Sequence, residues 1–247
     1  MAVNINTVYQ KVLAIANKEQ RGYITPQEFN LFADQAQKEI FEQYFYDLNQ
    51  FKRIPGNDTD HSDMVALLND KLSFFSKFEV LTSQSTGLNA QQFNIPDDFY
   101  RFQDARTSAD FNSVKIEKLN KADAQQAYTS ALTKGTNTRP IMYLEEEDKQ
   151  IWVQSDNEYW NGESASPITS ITLQYYKKPT SPSWAYNIIN QKPFYNSTNS
   201  TNFELHLSDE SELVYRILFM AGVAIEKPQL SQAAAALQTS SIQQEKQ

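Results

Sequence analysis

The chain has 247 residues, of which 40% are hydrophobic and 13% aromatic, with no cysteine, two histidines, six glycines and a formal net charge of −8. That composition excludes disulfides, thiolate nucleophiles and cysteine-held metal centres. It is too aromatic for a disordered chain and too acidic for a phosphate-backbone binder, which needs clustered Lys and Arg.

The opening residues Met1-Ala-Val-Asn-Ile-Asn carry neither a basic region nor an apolar segment. No run approaches the ~18 apolar residues that span a bilayer, so the expectation is no membrane association and synthesis in a reducing cytosol. Ile5, Val8, Tyr9, Val12, Leu13 and Ala16 then fall at helical spacing, and Gly22 stops that first helix. Thr25-Pro-Gln-Glu28 is a capping box with proline at the first helical position. It opens a second helix whose stripe holds Phe29, Phe32, Ala33, Ala36, Ile40, Tyr44, Leu48 and Phe51 and which ends at Lys52-Arg53 before Ile54-Pro-Gly. A third helix is predicted from Ser62 to Phe75, with Met64, Leu67, Leu68, Leu72 and Phe75 inward, followed by an extended Phe78-Glu-Val-Leu81.

The texture changes at Phe93. Short β-type runs are predicted at Val114–Leu119, Pro140–Leu144, Lys149–Val153 and Ile168–Tyr176, with Glu145-Glu-Glu-Asp148 as a hairpin tip and one helix over 121–132. Residues 180–202 read as a polar loop carrying Trp184, Tyr186, Ile188, Ile189, Phe194 and Tyr195. A loop of more than about 15 residues with such side chains is either functional or tucked onto its own domain. Ser208 caps a closing helix with acids at 209, 210 and 212 and a stripe of Leu213, Val214, Ile217, Ala221 and Ala224. After Pro228 a last helix follows with Leu230, Ala233, Ala234 and Leu237. The expected fold class is α+β, with N- and C-terminal helices forming a platform and an antiparallel β-domain inserted between them. Its segments are 2–81 helical, 93–178 β-rich, 179–207 an extended aromatic loop, and 208–247 helices packing with the N-terminal segment.

Chemistry is thinly provided. Asp58-Thr-Asp60-His61-Ser-Asp63 offers carboxylates and an imidazole, but it lacks the central Gly and terminal Glu of a calcium loop and reads as a solvated helix start. Asp97, Asp98, Asp104, Asp110, Glu145, Glu146 and Glu147 could furnish a glycosidase-type pair. The spacing favours turns and a hairpin tip instead. His206 lies between Leu205 and Leu207, so alternation places it outward. The six glycines are isolated, leaving no phosphate loop. No catalytic residue, metal or cofactor is expected. The three sequons at Asn57, Asn196 and Asn199 read as ordinary polar loops.

The order of elements, the β-domain opening Phe93-Asn-Ile-Pro-Asp-Asp-Phe-Tyr-Arg-Phe102, the strand Ile171-Thr-Leu-Gln-Tyr-Tyr-Lys-Lys-Pro179 and the acid-capped, alanine-rich closing helices resemble the head-to-tail adaptor (tail tubular protein A-like) family of short-tailed bacteriophages. The Asn/Gln-rich texture is similar to structural proteins of crAss-like phages. The resemblance implies a non-enzymatic virion protein assembled in the host cytoplasm: a homo-oligomeric ring of twelve, stacked below the portal protein, touching adjacent tail rings, with genomic DNA passing through unbound. Under it, Trp184, Tyr186, Ile188, Ile189, Phe194 and Tyr195 become the interface residues. The longer aromatic loop at 180–202 departs from that family's pattern. The rival readings are a carbohydrate-binding or adhesin module that stacks sugars on Trp152, Trp160 or Trp184, and a hydrolase built on Asp97 and Asp98.

Overall fold

The computed structural model describes residues 2–16, 24–53, 59–84, 90–107, 113–130, 132–145, 147–155, 168–224 and 228–245. They form a mixed α+β protein in two compact units. One is discontinuous, residues 1–75 with 179–247, and the other is the continuous stretch 76–178.

The first unit is helical: α1 (Ile5–Ala16), α2 (Pro26–Arg53), α3 (Thr59–Ser73), α5 (Glu210–Ala224) and α6 (Pro228–Glu245). Asn4 caps α1, its Oδ1 accepting from the amides of Asn6 (2.8 Å) and Thr7 (3.2 Å). The predicted box opens α2: the Thr25 amide donates to Glu28 Oε2 at 2.9 Å, and the Glu28 amide donates to Thr25 Oγ1 at 3.3 Å. The apolar stripes then meet. Val8, Val12, Phe29, Ala33, Ile40, Leu72, Leu213 and Ile217 are all buried, with α5 packing on α1, α2 and α6. Leu67, predicted inward, is exposed.

At the foot of α5 a 3₁₀ turn, Leu207–Asp209, is capped by His206, whose Nδ1 accepts from the Ser208 amide. The cap falls two residues before the predicted Ser208, because an imidazole nitrogen can accept as a hydroxyl does. His206 is exposed, as alternation predicts, but Leu207 is exposed too because the chain has already turned into the 3₁₀ conformation. Asp209 is wholly buried against α2 and α3. Its Oδ1 accepts from Lys71 Nζ at 2.7 Å and its Oδ2 from the Tyr44 hydroxyl at 2.6 Å.

The second unit holds two sheets and α4 (Lys121–Thr129). One sheet has the order β1 (Ser76–Thr82), β7 (Ser170–Lys177), β3 (Phe99–Thr107), all antiparallel. The other has the order β2 (Ala90–Asn94), β6 (Gln150–Gln154), β5 (Ile141–Glu145), β4 (Glu117–Lys118). Strand alternation directs Leu81, Phe93, Ala105, Met142, Ile151, Val153, Ile171, Leu173 and Tyr175 into one core. Two expectations are corrected. The helical segment does not run to residue 81, nor does the β unit begin at 93: β1 starts at Ser76, because Lys77, Glu79 and Leu81 alternate with Phe78 and Val80 and pair along β7. The β-domain is also not wholly antiparallel, since β4 pairs with β5 in parallel register, Glu117 to Ile141. Among the described residues no helix is long and apolar enough to cross a membrane.

Candidate functional site

The segment after Pro179 is not a structureless loop. It builds a two-stranded hairpin, β8 (Tyr186–Ile189) with β9 (Lys192–Tyr195), in the register Tyr186 to Tyr195 and Ile189 to Lys192. The connecting residues Asn190 and Gln191 have φ of 50° and 62°, the positive pair that a two-residue type I′ turn needs. Asn tolerates that region better than most residues, so Asn190 was the available signal.

An isolated two-stranded hairpin is marginal in water, and this one is fastened at its base. Polar side chains of the helices clamp the incoming and outgoing strands. Asn30 of α2 accepts from the Trp184 amide at 2.8 Å and donates to its carbonyl at 3.3 Å. Gln37, two turns further along and fully buried, donates to the Thr180 carbonyl at 2.8 Å and accepts from the Glu204 amide at 3.0 Å. Asn6 of α1 accepts from the Trp184 indole at 3.1 Å. These side chains stand in for a missing β-partner, and sequence reasoning missed all three. The legible trace was Asn30 and Gln37 seven residues apart beside an apolar stripe, where nothing polar is expected without a partner.

The second fastening is aromatic. Phe29, Tyr9 and Trp184 form a run with ring centroids 4.8 and 4.2 Å apart, and Trp184 goes on to Tyr186 and Tyr195 at 5.7 and 5.8 Å. Trp184 is therefore a core residue, 3% exposed, and not the outward contact predicted for it. An indole in reach of Tyr9 and Phe29 buries more apolar area there than at a rim. Tyr186 and Tyr195 are half-buried at the hairpin base. Ile188, Ile189 and Phe194 stand clear of it, 72%, 52% and 51% exposed. The six predicted residues thus divide into an anchor, two flanking rings and three apolar groups that stand more than half exposed along the hairpin.

The remaining candidates lie elsewhere. Asp58, Asp110, Glu146, Asn57 and Trp160 fall outside the described residues, as do the side chains of Asp60, His61 and Asp63. Of the predicted carboxylates, Asp97 meets Lys149 at 3.1 Å, Asp104 meets Lys115 and Arg106 at 3.3 Å, and Glu145 meets Lys121, while Glu147 stands exposed in the turn between β5 and β6. Asp98 and Glu79 share the Tyr175 hydroxyl at 2.7 and 2.9 Å and the Lys77 ammonium at 2.9 and 3.2 Å, beside an open groove of about 480 Å³. Burial raises the Asp98 carboxyl, but the Tyr175 hydroxyl and Lys77 outweigh it and hold the group below the usual carboxylate value. Burial and the Asp98 hydrogen bond push the Tyr175 phenol up, so it stays protonated. This arrangement is an ion network that ties β1 and β7 to the start of β3. Among the described residues no three acidic or histidine side chains converge as metal ligands.

No protein-family model matches the chain, and no curated protein matches it in sequence.

Proposed function

We propose that this protein is a non-enzymatic virion structural protein, a connector or adaptor subunit that closes into a ring below the portal and around the channel for genomic DNA. The observation that supports it is the rigidly fastened hairpin with an apolar tip. Three large apolar groups, each more than half exposed, are held out by a polar zipper and a buried indole, and such projections are interface anchors. Covering them removes close to two full side chains from water, roughly 3–5 kcal/mol per contact at 1.5–3 kcal/mol per side chain. Contacts of one kind repeated head to tail close into a ring when the rotation between copies divides a full turn. Further apolar groups stand exposed on the long helix α2 at Leu31 and Tyr46. A ring of twelve would carry about −96 charges, and an acidic lining lets DNA slide because like charge opposes phosphate contact.

The test replaces Ile188, Ile189 and Phe194 with serine and leaves Trp184 in place, since removing the whole 180–202 segment would strip the helical core. Light scattering and negative-stain images of the native chain, alone and mixed with the portal protein, are expected to give rings. The triple variant keeps native circular dichroism and assembles at least a hundredfold more weakly. A native chain that stays monomeric with and without portal refutes the proposal, as does a variant that assembles normally.

A further inference from the structure

The four-stranded sheet turns one face away from the core of its unit, and α4 packs against β5 on that unit. With Phe93, Ile151, Val153 and Met142 turned inward, alternation puts Gln92, Trp152 and Tyr143 in one cross-strand row and Asn94, Gln150 and Glu145 in the next. Both rings are partly exposed. They lie 6° from parallel with centroids 6.3 Å apart.

Trp152 is held in place by polar neighbours. The Trp152 indole donates to Glu145 Oε2 at 3.1 Å, and the other oxygen of Glu145 takes the Lys121 ammonium from α4. Gln92 donates its amide to Gln150. Two parallel, partly exposed rings on the side of the sheet away from its core, one of them fixed by a carboxylate, bury little apolar surface in their own unit. They form a surface with two apolar patches framed by hydrogen-bonding groups.

The chemistry that matches is a sugar ring. Its C–H face lies against the electron-rich face of an aromatic, while its rim of hydroxyls needs donors and acceptors together. The frame supplies both: carboxylate oxygens on Glu145, an amide oxygen on Gln92, amide nitrogen and oxygen on Asn94, and amide hydrogens on Gln150. Nucleobases also stack on such rings, but they bring phosphates to a chain of net charge −8, and Lys121 is already engaged by Glu145. Two rings are far short of the area a stable protein partner covers.

We propose that the Tyr143–Trp152 face is a binding site for a neutral saccharide, with the rings stacking on sugar faces and Glu145, Gln92 and Gln150 reading hydroxyls. The site is independent of the hairpin. The test titrates the full chain with neutral hexasaccharides of β-linked glucose, α-linked glucose, xylose, mannose and N-acetylglucosamine. Indole fluorescence and amide chemical shifts are followed, and an oligothymidylate serves as a rival probe. At least one saccharide is expected to bind saturably and to shift the amides of residues 143 and 152. Trp152→Ala and Tyr143→Ala should each weaken it at least tenfold while circular dichroism stays native, and Trp152→Phe, which keeps a ring, should lose less. The hairpin serine variant should bind sugar like the native chain, so that failure of assembly and failure of this site are told apart. Absence of saturation with all five sugars overturns the assignment. So does binding undiminished in both alanine variants, or tighter binding of the oligothymidylate.

Discussion

Asp209 offers the most decisive test of how the helical unit is held together. Its carboxylate is fully buried and Lys71 is 9% exposed, with the pair at 2.7 Å and the Tyr44 hydroxyl at 2.6 Å on the other oxygen. Asp209→Ala leaves an ammonium without its counter-charge, a loss of about 3–5 kcal/mol. It also leaves a phenol without its acceptor, about 1–3 kcal/mol. The two overlap, and about 4–6 kcal/mol is expected, which is comparable to the whole stability of a small domain. Lys71→Met alone removes the cation but leaves a carboxylate still served by Tyr44 and Ser208, and should cost less. Converting both, as Lys71→Met with Asp209→Ala, removes the unpaired charge altogether. The double variant should lie above the sum of the singles by about 2–4 kcal/mol. The assay is urea unfolding read by the fluorescence of Trp184, with Trp152 and Trp160 replaced by Phe so that only the helical unit reports. An Asp209→Ala variant within about 1 kcal/mol of the parent, or singles that add without coupling, would show that the pair is not what joins α2, α3 and the 3₁₀ turn.

Thr25→Ala should cost the helical unit about 1 kcal/mol in the same assay, because the Glu28 amide loses its acceptor and the Glu28 carboxylate loses the Thr25 hydroxyl. The Thr25 amide and hydroxyl hold the Glu28 carboxyl below its usual 4.5. That contribution is complete above about pH 4.5 and fades as pH falls through the lower folded-state value, and Glu28→Gln should remove this acid dependence. Trp184→Ala empties the junction of Tyr9, Tyr186 and Tyr195 and should cost about 3–5 kcal/mol. It should also release the hairpin, seen as accelerated hydrogen exchange at the amides of residues 186–195 with the β unit unchanged. Gly135→Ala places a methyl 2.4 Å from the Gln154 carbonyl oxygen and 3.3 Å from the Ile141 amide. Backbone on both sides cannot yield, so the β unit should lose about 1–3 kcal/mol, read as a lowered thermal midpoint. An unchanged midpoint counts against the packing of the 132–140 segment on β5 and β6.

Much of the fold was legible because local rules agree with the global outcome. The box at Thr25 and Glu28 opens α2, the 3.6-residue stripes give the helical faces, and the acidic run 145–148 turns the β5–β6 hairpin where it is predicted. The mixed α+β class followed from the change in texture near residue 93. The misses share a cause, which is dependence on neighbours distant in sequence. β1 reads weakly as a strand until β7 lies beside it at Ser76 to Tyr176. The two residues of β4 are a strand only because β5 is parallel to them.

The hairpin divides the two sources of information most sharply. Sequence alone determined that residues 180–202 hold too much apolar surface to be a plain solvated loop, since composition fixes how much must be covered. Which of those side chains is covered from within was decided by the tertiary structure. Trp184 finds Tyr9, Asn6 and Asn30 only after α1 and α2 have packed. Ile188, Ile189 and Phe194, a few residues further, stay more than half exposed. Periodicity can say that a side chain prefers burial. Only packing can say whether its own chain supplies the place, because that depends on contacts between residues more than 150 apart in sequence.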